Sequence, residues 1–229
     1  MRPVDKGNCP QKDDVDVVFN TYQEARGALI ERLGEYCSFC EMHEDGPLAV
    51  EHKLPKSVAR YKSLEKSWIN FLLACVYCNS IKGHDDINED DLLWPDTHNT
   101  FYALQYGPGA LVKPNPELST EEKRKAQRLI DLVGLNRLPG NLKIVSDRRW
   151  QNRQKAWDIA TRLRTNLQKS DTPELRESIA WNAQSNGYFS IWMTVFKEDP
   201  DMLQRIIEKF PGTASVCFVS GSCVLCISR

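Results

Sequence analysis

Two Cys-x-x-Cys pairs, Cys37 with Cys40 and Cys75 with Cys78, constrain this chain more than any other feature. Two such knuckles brought together by a fold commonly assemble a tetrahedral zinc site, each placing two sulfurs on one ion. The opening MRPVDKGNCP has no apolar h-region, so the expected location is the cytoplasm. In that reducing compartment lasting disulfides are rare, and clustered thiols more often hold metal than sit as unrelated free cysteines. A four-thiolate site is closed and has no position for water, so structural Zn²⁺ would fold and clamp the segment between the knuckles without performing chemistry.

The chain has 229 residues, 41% of them hydrophobic and 27% charged. That is enough to bury a core without disulfide staples and too apolar for a disordered chain. No apolar run reaches the ~20 residues of a membrane span, so no membrane partner is expected. Thirty Lys plus Arg against 31 Asp plus Glu nearly cancel, but the charges are unevenly placed. Residues 1–50 hold five basic residues against ten acids, whereas residues 121–169 hold thirteen against five. The basic stretch, Lys123 to Lys169, is a candidate face for phosphate attraction, which would make binding fall steeply with salt; a solvated helix surface is the plainer reading.

Residues 1–20 mix Pro, Gly and acids without a period and read as an arm. Thr21 to Tyr36 has Tyr22, Ala25, Leu29 and Leu33 at helical spacing. LAVEHKLP, bounded by Gly46 and Pro55, suits one arm of a β-hairpin. In SWINFLLACVYCNSIKG an apolar run leads into the second knuckle, where a helix could begin. Beyond Pro95 a Gly/Pro-rich connector, Tyr106 to Ser119, precedes a capping box at Ser119 and Glu122 and a helix ended by Gly134. Residues 144–168 read as a long basic helix, and PELRESIAWNA, YFSIWMTVF and DPDMLQRIIEKF as three more, with Pro173 and Pro200 in first turns. The expected fold class is α+β, mainly α. Its parts are an arm and helix (1–35), a zinc-stabilised unit (36–95) and a helical C-terminal region (96–229) for a partner or nucleic acid.

The clamped segment holds Glu51-His52 on the hairpin, Asn70 after Trp68, and Asn79 directly after the last thiol. Phosphodiester hydrolysis needs a base to deprotonate water and a divalent cation to neutralise charge on the phosphate and leaving oxygen. A His, largely neutral near pH 7, can be the first. A carboxylate and an amide oxygen, both hard ligands, suit Mg²⁺ or Mn²⁺.

With EH followed by W-x-N-F-L-L-x-C-x-x-C-N-x-x-K-G, framed by the earlier knuckle, the stretch Cys37 to Gly83 resembles the HNH endonuclease motif. It covers about a fifth of the chain. The resemblance implies two strands and a helix around one divalent ion, the ββα-metal unit, and hence a hydrolase cutting DNA, or RNA such as tRNA. Carried over by position, it implies that Glu51 and Asn79 hold the ion and that His52 is the general base. It further implies that Asn70 holds the hairpin loop so that His52 is aimed. Asn79 stands where many members have the last His, making this an HNN version. Lys82, three residues on, falls on the same helix side within reach of a substrate phosphate; an exposed, idle Lys is the even alternative. His84, five residues after Asn79, is a minor rival to it.

A longer and looser resemblance rests on MRPVDKG, EYCSFCE, AVEHKLPKS, LLWPD, LIDLVGLNR, FSIWMTVF and FPGTASVCF. These are similar to the HNH nuclease subunit of Septu-type antiphage systems, also found with certain retrons. That resemblance implies an effector of antiviral defence working beside an ABC-like ATPase. The competing function is a zinc-stabilised adaptor that docks a partner and cuts nothing. It draws on the near-neutral charge and the acidic run Asp85 to Asp91. Cys217, Cys223 and Cys226 read as buried thiols of an apolar terminal hairpin, ahead of a second zinc site completed by distant Cys9. Trp150, Trp157, Trp181 and Trp192 read as core, and His43 and His98 as structural.

Overall fold

The computed structural model describes residues 1–46, 48–138, 146–219, 222–223 and 227. The fold is α+β and mainly helical, with four small two-stranded antiparallel sheets among the described residues. The N-terminal arm is held, not loose. Met1 and Val4 are buried, the Val4 amide donates to the Pro95 carbonyl at 2.7 Å, and Val4 bridges Thr213. Strands β1 (Gln11–Lys12) and β2 (Val15–Asp16) follow. Asp13 and Asp14 join them, both at positive φ, as a tight two-residue hairpin requires.

The helix expected over residues 21–36 is broken in two. A capping box between Thr21 and Glu24 opens a 3₁₀ turn, Tyr22–Ala25, which leads into α1 (Arg26–Leu33). Gly34, at φ 73°, stops it before Tyr36. The predicted apolar stripe is the buried one, with Ala25, Leu29 and Leu33 inside and Tyr22 half-buried.

Strands β3 (Ala49–His52) and β4 (Phe71–Ala74) pair antiparallel, with Glu51 opposite Leu72 and His52 opposite Phe71. Helix α2 (Val76–Lys82) starts directly after β4 because Cys75 is its N-cap. It ends at Gly83, which takes the positive φ that other residues avoid. Helix α3 (Thr100–Ala103) leads into β5 (Leu104–Tyr106), which pairs with β6 (Val112–Pro114).

Helix α4 (Thr120–Leu132) carries the predicted capping box and buries Ala126, Leu129 and Ile130. Helices α5 (Arg149–Lys169), α6 (Pro173–Asn186), α7 (Phe189–Val195) and α8 (Pro200–Lys209) form the C-terminal bundle. In it α5 packs on α6 and α7, and α6 on α8. Pro173 and Pro200 occupy first turns as expected. The long basic helix begins at Arg149; residues 144–145 lie outside the described part. Strands β7 (Phe218–Val219) and β8 (Ser222–Cys223) form the terminal hairpin. Cys217 is buried, and Cys226 lies outside the described residues. Trp192 is fully buried, but Trp181 is 54% exposed, against the expectation of core.

Elements from all three predicted segments feed one continuous buried cluster running from Met1 to Ile227. No described helix is long and apolar enough to cross a membrane.

Candidate metal centre and adjoining polar site

The first knuckle is a turn strapped to β4. The Ser38 amide donates to the Leu73 carbonyl at 2.8 Å, and the Leu73 amide donates to the Ser38 hydroxyl at 3.2 Å. The second is the first turn of α2, where the Cys78 amide donates to Cys75 Sγ at 3.5 Å. Because both hang on β4, the four sulfurs converge, all lying within 4.8 Å of one another. Cys40 Sγ and Cys75 Sγ are 3.7 Å apart. A tetrahedron with Zn–S bonds of ~2.3 Å has edges of about 3.8 Å, so the donor set suits zinc.

All four cysteines are buried. Burial pushes the Cys40 and Cys78 thiols well above their usual range, so thiolates held this close need a cation to offset their charge. Part of it comes from the helical half. Arg149, at the start of α5, donates from Nη1 to Cys78 Sγ at 3.1 Å. The same guanidinium is locked by Asp147 Oδ2 at 2.7 Å and the Val133 carbonyl at 2.8 Å. No sequence pattern pointed to Arg149, which is one of thirteen cations in its stretch.

On the far end of the same hairpin lies the polar group. Glu51 and His52 are each only 7% exposed, and Asn70 is 1% exposed. His52 Nε2 lies 2.8 Å from the Glu65 carbonyl. A carbonyl only accepts, so Nε2 carries the proton and the lone pair of the neutral ring sits on Nδ1. Burial lowers the His52 pKa below the ordinary histidine value, with nearby Lys56 and Lys82 acting the same way and the Glu65 carbonyl opposing. Tyr22 meets the imidazole edge-on at 4.7 Å, and Lys56 Nζ lies over that phenol ring at 4.1 Å. Thus the broken first helix forms one wall of the His52 environment.

Asn70 closes the loop between the strands. Its Oδ1 accepts from the Leu54 amide at 2.8 Å, and its Nδ2 donates to the Leu54 carbonyl at 3.0 Å and the Leu64 carbonyl at 3.3 Å. Leu54 is two residues beyond His52, and Leu64 adjoins Glu65, whose carbonyl holds the imidazole. One amide therefore ties together the segment that carries His52 and the segment whose carbonyl holds its ring.

Lys82 is buried, 2.9 Å from Glu51 Oε1. It is therefore not the exposed, idle lysine of one sequence alternative. Burial raises the Glu51 pKa and the Lys82 ammonium opposes that rise. Asn79 sits one turn before Lys82 on α2 and is half-buried. His84 is exposed beyond the helix end. His98 Nδ1 accepts from the Trp94 amide at 3.0 Å, and His43 lies 3.6 Å from Asp45.

Fold and site together define a mainly helical α+β protein with a buried four-cysteine cluster suited to zinc. Over 71 residues the chain is 35% identical to the Septu protein PtuB of Bacillus thuringiensis. The matched stretch is 30% of this chain and covers 27% of that protein's length. No family model matches the chain.

Proposed function

We propose that the chain is a metal-dependent endonuclease of the HNH type. The observation that carries the reading is the aim of His52: with Nε2 committed to the Glu65 carbonyl, Nδ1 is left as the basic nitrogen of the ring. Asn70 holds that aim, as a positioning residue, through Leu54 and Leu64. His52 then takes a proton from water as the oxygen attacks phosphorus, and a 5′-phosphate and a 3′-hydroxyl result.

Glu51 and Asn79 would hold Mg²⁺ or Mn²⁺, their hard oxygens fitting such an ion, with His84 as the minor candidate. When bound, the ion would neutralise charge on the phosphate and leaving oxygen. Lys82, paired with Glu51, supplies positive charge at the same place. Zn²⁺ on the four cysteines would clamp the hairpin to α2. The similarity to the Septu protein PtuB supports a part in antiphage defence; nucleic acid as substrate and an ABC-like ATPase as partner are what the motif resemblance adds to this proposal.

The adaptor alternative is less well supported by its acidic run. Asp86 pairs with Arg60, Asp91 with Arg124 and Arg128, and Glu89 lies 3.6 Å from Lys53, so much of that charge is used internally. The test is cleavage of plasmid DNA and total tRNA in Mg²⁺, with and without the ATPase partner. The wild-type chain should cut one of them and His52→Ala should not, while still unfolding cooperatively. Full cleavage by His52→Ala would remove His52 from the role of base.

A further inference from the structure

A cavity of about 530 Å³ opens between α3–β5 on one side and α5 and α7 on the other. It differs in charge from four other cavities on the described surface, each of which is lined by at least two carboxylates. This one has none and carries two cations, Arg164 and Lys197. Its size is that of a small-molecule site, typically ~300–1,000 Å³.

The walls add a second kind of chemistry. Tyr102 and Trp157, both half-buried, line the cavity from α3 and α5. Such rings stack on any base, because every base has a π-face. Arg164 is anchored by donating from Nη1 to the Val195 carbonyl at 3.0 Å. A guanidinium has five N–H donors, so this bond sets its position and leaves capacity for an anion. The Lys197 side chain is 67% exposed, and its contact with Glu198 is a 3.6 Å surface pair, of the kind that contributes little. Gln105 and Thr161 put an amide and a hydroxyl on the lining.

A purely apolar ligand would have no use for the cation pair, and a bare anion none for the aromatic walls. We infer that the cavity binds a nucleotide, its base against Trp157 and Tyr102 and its phosphate at Arg164 and Lys197. The nucleotide is either free or one unit of a single strand. Binding needs no cleavage, so the site stands or falls apart from the role of His52.

The test uses the full-length His52→Ala chain, which leaves probes uncut. Anisotropy of a fluorescein-labelled oligothymidylate and calorimetry with AMP are measured for this chain, then with Trp157→Ala or Lys197→Glu added. A loss of affinity of about tenfold or more in both variants is expected. If the loss is in oligothymidylate binding, the source is a strand; if only AMP binding is lost, it is a free nucleotide. Should Trp157→Ala melt early, the exposed Lys197→Glu decides alone. Binding of neither probe at ~1 mM, or affinities unchanged in Lys197→Glu, would overturn the assignment.

Discussion

At the residue scale, most of the site's chemistry follows from burial. His52 is pushed below the ordinary histidine pKa chiefly because its imidazolium would lose hydration. As base it must be neutral, and a lowered pKa keeps it so to lower pH. Cleavage should therefore hold its rate on acidification to below pH ~6.5 before falling. A single-turnover pH profile with its acid limb above pH 7 would contradict this. Glu51 shows the opposite case, since burial raises its pKa and the Lys82 ammonium holds it down. Lys82→Met removes that opposition and raises the folded-state pKa further above the unfolded value. Between those two values the folded chain then binds more protons than the unfolded one, so stability falls as pH rises. The variant should lose up to about 3 kcal/mol near pH 8 and less near pH 5, measured by urea unfolding at both.

At the element scale, β4 and α2 form a continuous unit, because Cys75 belongs both to the four-cysteine cluster and to the N-cap of the helix. The hairpin β3–β4 is short, and two strands alone are marginal in water. Its stability then depends on the metal centre at one end and the Asn70 bonds at the other. Structural zinc in such sites is worth roughly 10–16 kcal/mol in apparent terms, comparable with the whole stability of a domain. Chelation, or Cys78→Ser, should abolish cooperative thermal unfolding and the folded circular dichroism signal. Metal analysis of the native chain should return one zinc from this cluster. A chelated chain that melts like the native one would exclude a structural metal.

On the scale of the whole molecule, the hairpin is held by elements far from it in sequence. Asp96 Oδ2 accepts from Lys6 Nζ at 2.9 Å and lies 3.1 Å from Lys53 Nζ. Lys6 also donates to the Ile69 and Phe71 carbonyls, at 3.1 and 2.7 Å. The arm, the loop after Trp94 and the residue next to His52 therefore meet in one buried cluster. Asp96→Asn leaves two buried ammonium groups facing a neutral side chain. It should cost about 3–5 kcal/mol, read as a drop in the urea midpoint; a loss under ~1 kcal/mol would mean that the cluster carries little stability. Arg149 plays the matching part on the other face, binding α5 to Cys78.

Local patterns made a good part of this molecule legible. The α1 stripe, the Ser119 capping box, the first-turn prolines and Gly134 after α4 are set by interactions within a few residues, so short stretches of chain encode them. The knuckle spacing likewise determines that each cysteine pair can reach a single ion. Other features were decided by the tertiary structure alone. The pairing of Lys82 with Glu51, the Glu65 carbonyl on His52, Arg149 on Cys78 and the burial of the N-terminal arm each join groups distant in the chain. Even Trp181, at helical spacing like its buried counterpart Trp192, was left outside by packing. A side chain's type and spacing state what it can bond, but which partner it meets depends on which surfaces the core brings together. Inside that core, the loss of water makes each of those pairings either stabilising or costly.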